Sequence, residues 1–260
     1  MKNLLLLFCA LFFIGFTSCK PDEVIDENRT ANVEVNFTTE YAGTPLVMFA
    51  EETYPESSMT MRIKKTEFFI TDLVLLQDGS SDETELSEVE LLKFSDFSSE
   101  ETAERGTARA YENIPVGTYS GVRMGLGVNP DLNRATTGEY GQGDPLGQNF
   151  WDGWSSYVFA KFEGDLDVNN NADFNDDDDI SFALHTGSNE AFRTVTLNMP
   201  VVVTADENNV ISIAFDMQKL FVSGDGVVYD IISTPTSHTS DNLDAINELS
   251  DNFANAFSVR

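Results

Sequence analysis

Short apolar runs that alternate with polar residues, separated by turn signals, fill this sequence from residue 32 onward and leave little choice of fold. Val33, Val35 and Phe37 alternate with polar neighbours, the mark of a half-buried strand. Met61 to Leu76 is long, apolar and β-branched, contains Phe68-Phe69-Ile70, and reads as one or two strands. Further strands are predicted over Val89–Phe94, Ser120–Val128, Tyr157–Phe162, Ile180–His185, Phe192–Met199, Val201–Thr204, Val210–Phe215 and Val227–Ile232. Gln77–Glu83, Asp206–Asn209 and Ser223–Gly226 carry the composition of loops. Ser95–Gly106 is acidic, rich in Ser and Thr, and is expected to be exposed. Near the C-terminus, Ser240 or Asp241 can cap a helix on which Leu243, Ile246, Leu249, Phe253 and Phe257 share one face. The predicted fold class is therefore all-β, a β-sandwich with one short C-terminal helix.

The first residues set an address rather than a fold. Lys2 precedes an apolar run from Leu4 to Phe16, and the small residues Thr17 and Ser18 lead into Cys19. This is the layout of a secretory signal, shorter than the roughly 20 apolar residues of a spanning helix. A cysteine directly after the small residues resembles a bacterial lipobox, in which Cys19 becomes the lipid-bearing first residue. Phe16 stands where that pattern usually has Leu. Cys9 is discarded with the signal and Cys19 carries lipid, so no disulfide is left to hold the mature chain, which must fold on its core alone. Lys20-Pro21-Asp22-Glu23, with Asp26 and Glu27, resembles the acidic export signal of surface lipoproteins in Bacteroidetes-type bacteria. The expected organisation is a signal over 1–18, a flexible tether over 19–31 and a single domain over 32–258. The expected location is the outer membrane, facing the periplasm or the cell surface, with the membrane engaged through lipid on Cys19.

Charge narrows the partners. Forty-four acidic residues against 15 basic ones give a formal net charge of −29. Phosphate contacts need Lys and Arg, so nucleic acid is excluded as a partner. Such a charge serves solubility by mutual repulsion and also attracts cations.

Two features bear on metals. Softer transition metals favour imidazole ligands, and this chain has two histidines, His185 and His238. In Ile180–His185, Ile180, Phe182 and Leu184 share one face, so His185 points the other way, toward a site or toward solvent. His238 lies in a polar loop before the helix, solvated or a ligand. Both tryptophans, Trp151 and Trp154, lie close to His185 in the sequence, either packing at the end of the sandwich or belonging to a site. Separately, Asp165, Asp167, Asn169, Asn171, Asp173 and Asp176 place oxygens on nearly alternate residues, closing on a carboxylate at the twelfth position, as in an EF-hand-type calcium loop. The sixth position is Asn170 rather than Gly, the twelfth is Asp rather than Glu, and no helix pair flanks the loop. The same residues also suit a solvated acidic loop.

Several segments, in order, resemble the MbnP-like family of bacterial copper-binding proteins, whose namesake is the periplasmic partner of methanobactin. They are Met61–Leu75, with Phe68-Phe69-Ile70; Tyr111–Asn129, with its Pro-Val-Gly-Thr-Tyr turn; Asp144-Pro145-Leu146 through Trp151, Tyr157, Lys161, Glu163 and Gly164; His185-Thr186-Gly187; and His238 before a helix containing Asn252-Phe253. The resemblance implies a β-rich domain that binds copper through histidines and an oxidised tryptophan, a kynurenine. Carried over by position, the copper residues are His185, His238 and Trp151. The family's second tryptophan falls where this chain has Gly153, with Trp154 one residue beyond, and the strand Val33–Thr39 has no histidine.

No nucleophile elbow, phosphate loop or metalloprotease helix is present, so the chain is expected not to be an enzyme. The expected function is that of a lipid-anchored copper-binding protein, in metal acquisition or as the partner of a redox enzyme. The alternative is a surface module for glycan or protein, steadied by calcium.

Overall fold

The computed structural model describes residues 29–134, 137–141, 143–237 and 242–260. The expected signal peptide, Cys19 and most of the tether lie outside these residues, as does His238. The strands are β1 (Thr30–Tyr41), β2 (Thr44–Pro45), β3 (Glu51–Thr53), β4 (Thr60–Gln77), β5 (Glu83–Lys93), β6 (Thr107–Pro115), β7 (Gly117–Leu126), β8 (Phe150–Trp151), β9 (Ser156–Asp167), β10 (Ile180–Gly187), β11 (Arg193–Val203), β12 (Asn209–Asp216) and β13 (Phe257–Val259). Among the described residues two α-helices accompany them, α1 (Glu100–Arg105) and α2 (Leu243–Asn255).

The strands form two sheets. The smaller runs β13-β12-β1-β2, with β6 also paired to β1. In β1 every second side chain from Val33 to Tyr41 is buried, as its alternation predicts. The larger sheet runs β10-β9-β4-β7-β11, with β3, β5 and β8 attached. Its spine is β4. Phe68 pairs with Leu92 of β5 and with Ala160 of β9, whereas Ile70 pairs with Glu90 of β5 and with Leu126 of β7. Because β5 keeps to one side, β9 and β7 must follow one another along the other. A bulge separates Thr71 from Val74, and Asp72 within it takes φ 51°.

Aromatic rings join the layers. Phe68 of the larger sheet lies 5.6 Å, ring to ring, from Phe215 of the smaller and 5.1 Å from Phe253 of α2. Phe162 completes the cluster, 5.6 Å from Phe215 and 5.3 Å from Phe253. The edge-on contacts among them, Phe68–Phe215, Phe68–Phe253 and Phe162–Phe253, add about 1 kcal/mol each beyond simple burial. A second, smaller core of Phe69, Leu91, Val128, Leu146, Tyr157, Phe159, Ala191 and Ile246 forms where β9 and β7 part. The expected all-β sandwich is what the chain builds.

Met61–Leu76, read as one or two strands, is one continuous strand. Other local expectations are corrected. Phe192–Met199 and Val201–Thr204 belong to a single strand, β11, with an irregularity between Asn198 and Val201. Ser95–Gly106, mostly exposed as expected, also holds a helix, because Ser99 and Thr102 close a reciprocal capping box around its first turn. Val227–Ile232 is not a strand. Ser223 Oγ accepts the Val227 amide and Asp230 accepts the Ser233 amide, so side-chain-capped turns take the backbone, leaving Val227 and Ile232 exposed. At the C-terminus α2 starts at Leu243 after Asn242, which makes no capping bond, and Phe257 of the predicted stripe falls in β13.

Candidate functional site

The site is built on the β10-β9-β4 end of the larger sheet. Register places Lys93, Glu67, Lys161 and His185 side by side across β5, β4, β9 and β10. Directly opposed residues share a face, and the alternate residues Phe162 and Leu184 enter the main core. The row therefore faces away from that core. Lys161 bonds Glu67 at 2.9 Å and donates to Asn149 Oδ1 at 2.6 Å. Burial alone would push the Glu67 carboxyl up, but the hydrogen bond and charge of Lys161, with Lys65 and Lys93, hold it below the ordinary glutamate range.

His185 lies opposite Lys161 and turns to the next carboxylate on β9. Its Nε2 is 2.9 Å from Glu163 Oε1. Its main chain is clasped from the far side. The His185 amide donates to Ser237 Oγ at 2.9 Å, and that hydroxyl donates to the His185 carbonyl at 2.9 Å. Thr236 pairs in parallel with Ala183, and Ala183 and Pro235 share a further main-chain bond. Residues 235–237 thus line the edge of β10 and bring the chain to His185 one peptide bond before His238.

The tight turn from β8 into β9 positions the tryptophans. Trp151 pairs with Ser156, and its indole lies over Gly153, where a Cβ would come within 3.1 Å of the ring. Trp154 packs edge-on to Trp151, with ring centroids 5.0 Å apart. The Trp154 ring also covers Gly187, where a Cβ would lie 2.2 Å from it. Asn149, at φ 66°, sends its carbonyl to the Val158 amide. Beneath the turn, Tyr157 donates to the Leu146 carbonyl at 2.9 Å, and burial pushes its hydroxyl up to about 12, so it remains a donor. Asn149, Phe150, Trp151, Val158, Lys161 and His185 line one cavity of about 360 Å³. Its polar lining is Asn149, Lys161 and His185, and the rest is apolar.

The structure brings His185 and Trp151 to this common cavity. His238 and Cys19 lie outside the described residues. Among the described residues, no three His, Cys, Asp or Glu side chains are grouped to hold a metal ion.

The acidic loop is elsewhere, beyond the far end of β9. Asp165 bonds Lys64 and Ser181. Asp167, fully buried, accepts the amides of Asn171 and Ala172. Asn169 accepts the Asn171 amide, Asn171 accepts the Asp173 amide, and Asp173 accepts that of Asn175. Asp176 accepts the side-chain amide of Asn171. Asn170, in the position where such loops carry Gly, has φ 57°.

Asn149, Lys161, Glu163 and Ser237 were not among the sequence-predicted site residues. Lys161 and Glu163 alternate with core residues, but only register shows which strand partners face them. Ser237 had no signal beyond its place before His238.

A two-sheet β-sandwich with a histidine and a tryptophan lining a cavity on the outside of one sheet defines the class. Within it, the chain belongs to the MbnP family, whose model matches residues 30–240. That span contains Trp151, His185 and His238. Among solved structures the chain is similar to MbnP from Methylosinus trichosporium, at 11% identity and TM-score 0.48, over 74% of this chain and 78% of that one. No curated protein matches.

Proposed function

We propose that this chain binds copper in the cell envelope at the cavity beside Trp151, through His185 and His238. The family is associated with copper through methanobactin, and the observation that carries the reading to this chain is geometric. His185 and Trp151, from different strands, line one cavity, and Ser237 is bonded both ways to the His185 backbone one residue before the second histidine.

The donor chemistry fits. Imidazoles suit copper, and Phe150, Val158 and Trp151 supply an apolar wall. Lys161 adds little net positive charge, because Glu67 neutralises it. Copper would supply a soft, redox-capable centre next to an indole. The role is binding rather than catalysis: acquisition of the metal, or its presentation to a redox partner in the periplasm or at the surface. Lipid on Cys19 would hold the protein at the outer membrane.

Metal analysis of the purified protein tests this. Stoichiometric copper is expected in the wild type and a marked loss in His185→Ala and in His238→Ala. Equal retention by both variants discredits the ligands. Mass analysis of the Trp151 peptide in copper-loaded protein tests for kynurenine, and an unchanged mass removes it.

A further inference from the structure

We infer that Glu163 is a positioning residue for this site: by accepting the Nε2 proton of His185, it makes Nδ1 the nitrogen through which the imidazole takes metal. The inference rests on the copper reading above and adds the ligating atom and the residue that selects it.

An ionised carboxylate can only accept hydrogen bonds. The 2.9 Å contact between Glu163 Oε1 and His185 Nε2 therefore places the proton on Nε2. A neutral imidazole protonated at Nε2 keeps its one ring lone pair on Nδ1, and a metal needs a lone pair. Coordination through Nε2 would break this bond and leave a partly buried carboxylate without it.

The surroundings hold the arrangement. Glu163 and His185 stand on paired strands, with Glu163 opposite Ala183 and His185 opposite Lys161, so the contact is a short diagonal across one ladder. Lys161 does not compete for Glu163, since Glu67 and Asn149 already engage it. Lys65, 3.9 Å away, steadies the carboxylate from the other side. The Ser237 clasp fixes the His185 backbone, so the ring turns about few bonds. Carboxylate–histidine–metal arrangements raise ligand basicity and fix ring orientation.

Long-range proton–nitrogen NMR of the protein, without metal and then with Cu(I), reads the tautomer directly. Without metal, Nε2 of His185 should be protonated and Nδ1 not. On adding Cu(I), the Nδ1 resonance should move while Nε2 keeps its proton. Glu163→Ala should weaken Cu(I) binding about 10- to 100-fold, and Glu163→Gln, which keeps an acceptor oxygen, should recover most of the loss. An Nδ1-protonated ring without metal, a metal shift at Nε2, or unchanged affinity in a folded Glu163→Ala protein overturns the inference while leaving copper binding intact. A wild-type protein that takes up no Cu(I) overturns the copper reading itself, and the inference falls with it.

Discussion

Lys161 connects the polar side of the cavity to the body of the sheet. It meets Glu67 with both groups largely shielded, at 18% and 10% side-chain exposure. Lys161→Met should leave Glu67 without its main counter-charge and cost about 2 kcal/mol in urea unfolding, less than a fully dry pair because solvent still reaches both ends. The pH dependence has a definite sign. The folded Glu67 carboxyl lies below its free value of 4.5, so its stabilisation is present above 4.5 and is lost as pH falls through the folded value. The stability gap between wild type and Glu67→Gln should narrow on acidification below 4.5, and a constant gap would refute the assignment. Gly187 is constrained by contact rather than by backbone angle. A methyl there would meet the Trp154 ring at 2.2 Å and the Tyr157 carbonyl at 2.9 Å. Gly187→Ala should cost about 1–3 kcal/mol and shift tryptophan emission, whereas an unchanged spectrum and stability would show that Trp154 moves aside freely.

Among the elements, the segment 235–237 matters most to the site. It adds a short parallel rung to β10, and Ser237, fully buried, satisfies the amide and carbonyl of His185 with one hydroxyl. Ser237→Ala should strand the His185 amide and cost about 1–3 kcal/mol. Much of that loss should be local, seen as faster hydrogen exchange at the His185 and Ala183 amides than at Phe68 in the core. Equal acceleration at all three would point to global unfolding instead of release of the segment. The β9–β10 pair that receives it was legible in the sequence, because Tyr157–Phe162 is a short apolar, aromatic run and Ile180–His185 alternates. The rung itself was not: three residues with two hydroxyls and a proline carry no strand period, and their pairing depends on an edge that exists only once β10 has docked.

For the molecule as a whole, charge and aromatic packing oppose each other. A net charge of −29 repels itself, while Phe68, Phe162, Phe215 and Phe253 lock the two sheets and α2 together. Raising salt from about 0.01 to about 0.15 M contracts the screening length from about 30 to about 8 Å and should raise the thermal midpoint by a few degrees, roughly 1 kcal/mol. A midpoint that falls with salt would mean that favourable ion pairs outweigh the repulsion. The alternation of apolar residues by itself determined an all-β chain and most of its strands, since side-chain period and burial are local properties. It also turned His185 away from the apolar face of its strand, whereas Trp151 was marked by the family resemblance. Only tertiary structure decided that β4 carries β9 and β7 in succession along one side and that Lys93, Glu67, Lys161 and His185 stand in one row. It alone set Glu163 against an imidazole. These depend on pairings between strands distant in sequence, whose register is settled by packing across the whole sheet rather than by any one segment.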